Sequence, residues 1–286
     1  MSVDSVIPFA FESLPVRGAL IHLGRSWRRM QRDHAYSPLI VETLGHAAAA
    51  TGLIAQSLKF DGAITLQIQG SGELQMLVMQ CTSEHEMRGM AVMEDHAAAQ
   101  DFVELTRDAH CAITVDAGER PYQGIVAIDG DSLSASLEHY FERSVQVPSH
   151  ITLVASDEVA GGILLQQMPG QPIDTDDWNR LQYLAATLSL KDFSGKAGLE
   201  LLARLFNEDD VRVYSPKPVK FRCRCSARKV AEVLRMLGEV ESRAALDEQG
   251  GIEIVCEYCG RRRSFDAVDV ERIFTAGSIE APDSLH

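Results

Sequence analysis

Four cysteines near the C-terminus constrain this chain more than any other feature. The run Phe221-Arg222-Cys223-Arg224-Cys225-Ser226 is followed by Cys256-Glu257-Tyr258-Cys259-Gly260. A C-x-C pair and a C-x-x-C pair suit one tetrahedral Zn²⁺ on Cys223, Cys225, Cys256 and Cys259, because zinc accepts soft sulfur donors and four of them close a structural site. The same pairs can also make two short-range disulfides, so the tetrad can serve as metal site and redox switch. C-x-x-C repeated twice is the common zinc-ribbon pattern. C-x-C is rarer, because ligands on alternate residues of an extended segment point to one side and must converge on the metal. Core cysteines seldom fall into two such pairs. The opening MSVDSVIPFAFESLPV has no basic stretch followed by a long apolar run, so no signal peptide is expected. A cytoplasmic, reducing location favours thiolate plus metal over a secreted disulfide framework.

A length of 286 residues predicts more than one domain. Apolar residues at 45% and charged residues at 24% describe an ordinary globular chain. A net charge of −14 argues against a chain-wide nucleic-acid surface, which is normally basic. No run of about 18 apolar residues predicts a transmembrane helix. Cys81 and Cys111 lie on strand-like patterns and read as inert core residues. The histidines form no metal-binding arrangement, so none is assigned to a metal.

In chain order, Ile7 to Phe11 and Arg17 to Leu23 read as strands, and an Arg-rich segment to His34 as a helix. Pro38 opens a longer helix, Leu39 to Leu58, whose alanines 47–50 permit close packing on a sheet. Ile64, Leu66 and Ile68 alternate as a half-buried strand, paired through Gly70-Ser71-Gly72 with Leu74 to Cys81. Further strands are expected at 87–93, 111–115 and 122–128, with a turn at Gly118 to Pro121. A helix is expected from Leu133 to Arg143, and a last hairpin from Ile151–Ala155 and Gly161–Met168. This first stretch holds no paired-carboxylate, Ser-His-Asp or phosphate-loop constellation, so no catalytic residue is assigned and the chain is not expected to be an enzyme.

Pro169-Gly170-Gln171-Pro172 marks a boundary. Beyond it, acidic residues 174–177 start a helix with an apolar face of Trp178, Leu181, Leu184, Ala185 and Leu188. A second short helix carries Leu199, Leu201, Leu202, Leu205 and Phe206, separated from the first by a flexible joint at Asp192 to Gly198. Such short helices need a neighbour to be stable in water. In the cysteine module, Ser226 caps a helix to Leu237, a strand at 251–255 delivers Cys256, and a last helix ends near Phe274. The predicted class is α+β: an antiparallel-sheet domain with packed helices over 1–172, a helical linker over 173–220, and a small zinc-binding domain over 221–286. A module of that size depends on its metal for folding.

The residues resemble the heat shock protein 33 family, the redox-regulated 33 kDa chaperonins. The resemblance covers nearly the whole chain. It includes Arg17-Gly18, the block Leu58-Lys59-Phe60-Asp61-Gly62 to Gln69-Gly70-Ser71-Gly72, and Arg88-Gly89. It continues through Tyr140-Phe141 with Ser144, Gln146 and Pro148, then Gly161-Gly162, Gln166 and Pro169-Gly170. The most specific match is Phe221-x-Cys223-x-Cys225-Ser226 with Cys256-x-x-Cys259. The resemblance implies an ATP-independent holdase that binds unfolding clients under oxidative stress. It implies one zinc per chain in the reduced, inactive state, then Cys223–Cys225 and Cys256–Cys259 disulfides, zinc release, unfolding of the C-terminal domain and dimerisation on activation. Two positions depart from the family pattern: Val145 stands where members often carry glutamate, and Arg263 where they often carry an aromatic.

Two other classes compete. Arg261-Arg262-Arg263 beside the tetrad favours a nucleic-acid-binding zinc module, which the acidic charge opposes. A thiol oxidoreductase using Cys256-x-x-Cys259 needs a helix start after the motif, and Gly260-Arg261-Arg262-Arg263 is a poor one. No membrane or nucleic-acid partner is expected, and no client-binding residue is assigned.

Overall fold

The computed structural model describes residues 4–94, 99–116, 121–128, 130–193 and 198–275. It divides into two compact units, Met1–Arg222 and Cys223–His286.

The first unit begins with β1 (Ser5–Phe11), β2 (Val16–Leu23), α1 (Arg25–Gln31) and α2 (Pro38–Ser57). It continues with β3 (Ala63–Gln69), β4 (Leu74–Thr82), β5 (Glu86–Met93), the short α3 (Phe102–Leu105), β6 (His110–Asp116) and β7 (Tyr122–Val126). Then come α4 (Leu133–Tyr140), β8 (Ser149–Ala155), β9 (Ala160–Gln167), α5 (Thr175–Ala186) and α6 (Gly198–Leu205). Three short strands close it: β10 (Val211–Val213), β11 (Lys217–Pro218) and β12 (Lys220–Phe221).

Two six-stranded sheets result. One runs β10-β1-β2-β9-β8, with β11 also on β1; the other runs β12-β5-β4-β3-β6-β7. Every pairing is antiparallel except β12 with β5. Helix α2 touches both sheets. Ser37 caps it by accepting the Ile40 N–H, and Pro38 occupies the first turn, where its missing N–H costs nothing. Gly45 and the alanines 47–50 allow close approach: a Cβ on Gly45 would lie 2.4 Å from the Ala155 Cβ. Helix α2 is long and apolar enough to span a membrane, with a mean hydropathy of 1.3, yet 72% of that window is buried inside the protein. The alternation of β3 sends Ile64, Leu66 and Ile68 into this same core, beside Cys81 and Cys111. Burial pushes both thiols up to about 12, so they stay protonated, as expected of inert core cysteines.

The opposite face of the first sheet carries a second core. Ile7, Phe9, Phe11, Val16, Leu20, Ile163 and Leu165 meet Leu181, Ala185, Leu201, Leu202, Leu205 and Phe206 of the α5–α6 layer. Phe206 lies edge-on to Phe11 at 5.0 Å and tilted on Phe9 at 5.8 Å. Arg180 grips Asp209 with two hydrogen bonds of 2.9 and 2.7 Å. The expected flexible joint is corrected in its first part. Leu190–Phe193 form a 3₁₀ turn in which Asp192 and Phe193 are buried, Asp192 accepts from the Ser189 N–H and hydroxyl, and it pairs with Arg204 at 2.5 Å. Residues 194–197 of that joint, and 118–120 of the expected turn, lie outside the described residues. The helix expected to run to Arg143 is α-helical only to Tyr140; Phe141–Val145 form a π turn closed by Gln146 at φ 59°.

In the second unit, α7 (Ala227–Leu237) and α8 (Glu239–Gln249) precede the hairpin of β13 (Ile252–Val255) and β14 (Arg262–Phe265), and α9 (Ala267–Thr275) follows. Its buried apolar core is Ala231, Leu234, Phe265, Val270 and Ile273.

Candidate metal centre

The tetrad is assembled by two local devices. Cys223 and Cys225 lie in the extended approach to α7, whose cap Ser226 accepts the Lys229 N–H at 3.2 Å. Cys256 and Cys259 sit in the loop of the β13–β14 hairpin. There the Cys256 carbonyl accepts the N–H groups of Cys259 and Gly260, while the Cys256 N–H donates to Arg261 O at 3.0 Å. Gly260 takes φ +62°, a left-handed conformation that glycine adopts without strain and that closes this tight turn.

All four Sγ atoms lie within 4.8 Å of one another. Cys223 and Cys256 approach to 3.7 Å, and Cys225 and Cys259 to 3.5 Å. Sulfurs on a tetrahedral zinc at ~2.3 Å stand about 3.8 Å apart, so the spacing fits that ion and is far from the ~2.05 Å of a disulfide. All six cysteines of the chain are free thiols. The tetrad is partly buried, which shapes its acidity. Burial opposes ionisation of Cys223, but hydrogen bonds from the Cys225 backbone and from the other three thiols outweigh it and lower its pKa. Burial raises Cys225, and its hydrogen bond to Cys223 adds to the rise. Burial likewise raises Cys259 strongly. Packing therefore makes Cys223 easier to ionise than Cys225 and Cys259, whose ionisation is opposed. A divalent cation reverses this by stabilising four thiolates at once. The four cysteines can hold a metal ion.

Sequence comparison fits this site and fold. The family model described as Hsp33 protein matches residues 4–266. The chain belongs to the Hsp33 family. A 33 kDa chaperonin of Nitrosococcus oceani is 39% identical over 280 residues, covering 98% of this chain and 96% of the relative. One of Methylobacillus flagellatus is 39% identical over 277 residues, covering 95% and 94%. The crystal structure of the 33 kDa chaperonin of Thermotoga maritima superposes with a TM-score of 0.79 at 24% identity, covering 94% of this chain and 97% of that one, and so shares the fold. As an Hsp33 protein the chain is a heat-shock chaperone, and its mixed α+β architecture with a four-cysteine cluster agrees with the expected class.

The two departures from the family pattern have defined places. Val145 ends the π turn and is exposed. Arg263 sits on β14 opposite Ile254, and its Nε is buried without a hydrogen-bond partner. Arg262 pairs with Glu253 at 2.6 Å, so the basic triplet is in part neutralised within the hairpin.

Residues outside the tetrad that the sequence did not single out anchor the end of the first unit. Buried Asp4 accepts three backbone N–H groups at the start of α1: Gly24 at 2.8 Å, Arg25 at 3.1 Å and Ser26 at 2.5 Å. The Asp4 carbonyl takes the Val219 N–H, and the Ser26 hydroxyl takes the Phe221 N–H. His85 O accepts from Lys220, Met87 O accepts from Arg222, and Arg222 pairs with Glu86 at 2.5 Å. A lone Asp before a strand and a polar stretch after Pro218 carry no local signal for these contacts.

Proposed function

We propose that this Hsp33 chaperone is an ATP-independent holdase that is inactive when reduced and metal-loaded and is activated by oxidation of its four clustered cysteines. One observation carries the reading: four thiols within 4.8 Å of one another stand beside a core of only five buried apolar residues. A zinc ion, one per chain, would supply the cross-link that such a small unit needs in order to stay folded. The residues holding it would be Cys223, Cys225, Cys256 and Cys259.

Oxidation removes those donors. One hydrogen peroxide converts a pair of thiols to a disulfide, through a sulfenic acid, with release of two waters. Two peroxides thus convert Cys223–Cys225 and Cys256–Cys259 to disulfides. The pairing follows the family resemblance, and loop closure supports it: partners two or three residues apart find each other far more readily than Cys223 and Cys256 once the unit loosens. Oxidised sulfur no longer binds a cation as thiolate, and the second unit then has only its small core. The α5–α6 layer, built from helices too short to be stable alone, would then release the apolar face of β1, β2 and β9 to unfolding clients. Dimerisation on activation, a cytoplasmic location and the absence of nucleic-acid, membrane or catalytic roles complete the proposal.

The test measures zinc content and free thiols of the reduced protein before and after peroxide, alongside suppression of aggregation of an unfolding client enzyme. The reading requires one zinc and six thiols before, no zinc and two thiols after, and suppression only after. An oxidised, zinc-free protein that leaves aggregation unchanged refutes it.

A further inference from the structure

The α2-bearing face of the first sheet is not fully covered, because α2 stops at Ser57. Beyond it run two cross-strand rows that are exposed at Arg212, Arg17 and Tyr214 and buried at Gln166, Ala19, Leu164 and Ile151. One row reads Arg212, Ala10, Arg17, Gln166, Ser149; the next reads Tyr214, Pro8, Ala19, Leu164, Ile151. A cavity of about 190 Å³ stands on them, with Gln56 and Ser57 of α2 also in its lining. That volume equals about six waters at ~30 Å³ each. It is below the ~300 Å³ at which pockets for drug-sized ligands begin, so it suits a group of amino-acid size.

The polar groups of this cavity are fixed and incomplete. Gln166 is 3% exposed; its Nε2 donates to the Ser149 hydroxyl at 3.1 Å, and that hydroxyl donates to Val147 O at 2.9 Å. The amide is thereby locked with Oε1 accepting from Arg17 Nη2 at 3.0 Å. Arg17 has no carboxylate within ion-pair distance among the described residues, although the chain carries a net charge of −14. Its row neighbour Arg212 is already paired, with Glu12 at 2.6 Å. Between the two arginines stands Ala10, whose methyl leaves the floor open. Gln56, at the wall, has a buried Oε1 with no hydrogen-bond partner. The exposed Arg17 guanidinium can exchange water for a carboxylate in a charge-assisted bond, and the buried, unpaired amide oxygen of Gln56 calls for a donor. Pro8, Ala10, Leu164 and Met168 offer apolar contact between them.

We infer that this cavity is a binding site for a carboxylate of amino-acid size that carries a hydrogen-bond donor, held by Arg17 and Gln56. Tyr214 is part of its wall and follows β10, with its N–H on Pro8 O at 2.9 Å. An occupant touching Tyr214 therefore stabilises the docked position of 211–214. By linkage, ligand at ten times its Kd lowers local opening there about tenfold.

The experiment uses the reduced, zinc-loaded full chain and two probes. One is free N-acetylglutamate; the other is an unfolded peptide with a single central glutamate; each is repeated with glutamine in place of glutamate. Backbone resonances of Ala10, Ala19 and Tyr214 are followed in titrations, and amide exchange at 211–214 is measured at saturation. The expected result is saturable shifts with a glutamate probe, at least tenfold weaker binding of its glutamine counterpart, and about tenfold slower exchange at 211–214. Arg17→Gln and Ala10→Leu should each weaken binding at least tenfold, the first by removing charge and the second by filling the floor. Saturation by the free acid identifies a small acid as occupant, and saturation by the peptide alone identifies an acidic side chain of a bound chain. The inference is overturned if neither glutamate probe binds, or if the glutamine probes bind as well.

Discussion

Phe206→Ala tests the idea that the α5–α6 layer is a separable cover. Phe206 is 2% exposed and its ring meets Phe9 and Phe11, both on the face of β1 that the layer covers. Truncating a buried phenylalanine costs about 3–5 kcal/mol, a total that includes ~0.5–1.5 kcal/mol for each lost aromatic pair. At ~1.4 kcal/mol per factor of ten, the undocked population of the layer rises by roughly two to three and a half orders of magnitude. Phe206→Leu keeps most of the volume but loses both ring pairs, so it should cost about 1–3 kcal/mol.

The assay is amide exchange of the reduced, zinc-loaded protein, read by mass spectrometry and paired with client aggregation. Exchange across 175–211 should accelerate by at least two orders of magnitude in Phe206→Ala, with β3 and β4 unchanged, because those strands belong to the other core. The reduced variant should also suppress aggregation without oxidant, and Phe206→Leu should fall between it and the parent. Equal acceleration in β3 and β4 would show that the layer unfolds only with the whole unit. Acceleration confined to the layer, with no gain in aggregation suppression, would place the client surface elsewhere.

Three further outcomes follow from the contacts described. Chelating the metal from reduced protein should abolish amide protection over 223–275 while leaving β1 to β5 protected, because Ala231, Leu234, Phe265, Val270 and Ile273 are too small a core to hold alone; retained protection would refute a metal-dependent fold. Asp4→Asn removes the charge that accepts three N–H groups at α1 and should cost about 2–3 kcal/mol, lowering the calorimetric Tm of the first unit by roughly 5–10 °C. For His85, burial and then the charge of Lys217 push the pKa down from 6.5 to about 4, so between those pH values the unfolded chain binds more protons than the native one. Stability should therefore fall as pH drops from 6.5 to 4, and His85→Asn, which tolerates the φ of 57° at that position, should flatten the slope in urea titrations at pH 7 and pH 5.

Much of the fold is legible where the signal is local. The period-two pattern of Ile64, Leu66 and Ile68, the Ser37-Pro38 start of α2, the Ser226 cap and the spacing of the four cysteines each encode their structure within a few residues. The missed elements depend on distant partners. Strands β10, β11 and β12 are two or three residues long, interrupted by Pro216 and Pro218, and exist because β1 and β5 offer edges to them. Helix α8 buries Ser242 and leaves Val240 exposed, so no apolar period announces it. Asp192 reads as a polar joint residue, yet its carboxylate is buried because Ser189 and Arg204 satisfy it. At the four-cysteine cluster the candidate ligands are readable from spacing, whereas the thiol acidities arise from packing against one another.

The three cores are unequal in size, and that inequality would order the proposed response to oxidant. The core around α2 unites both sheets and includes Val219, with Phe221 of β12 packed against it. The α5–α6 core joins one sheet face to helices of 12 and 8 residues, at or below the length at which an isolated helix is marginal. The tetrad's unit has the smallest core and four oxidisable donors. Chain connectivity joins the tetrad's unit to the α2 core: Arg222 donates to Met87 O on β5, Val219 and Phe221 pack in that core, and the next residue is Cys223. On the proposed mechanism, oxidation at the tetrad would remove structure next in sequence to β12, whose two-residue pairing has little stability of its own, and β10 to β12 are what follow the α5–α6 layer in sequence. Loosening would then pass from β12 back through β11 and β10 to β1, whose Phe9 and Phe11 belong to the α5–α6 core, and the rest of the α2 core would remain as the scaffold that presents the face of β1, β2 and β9.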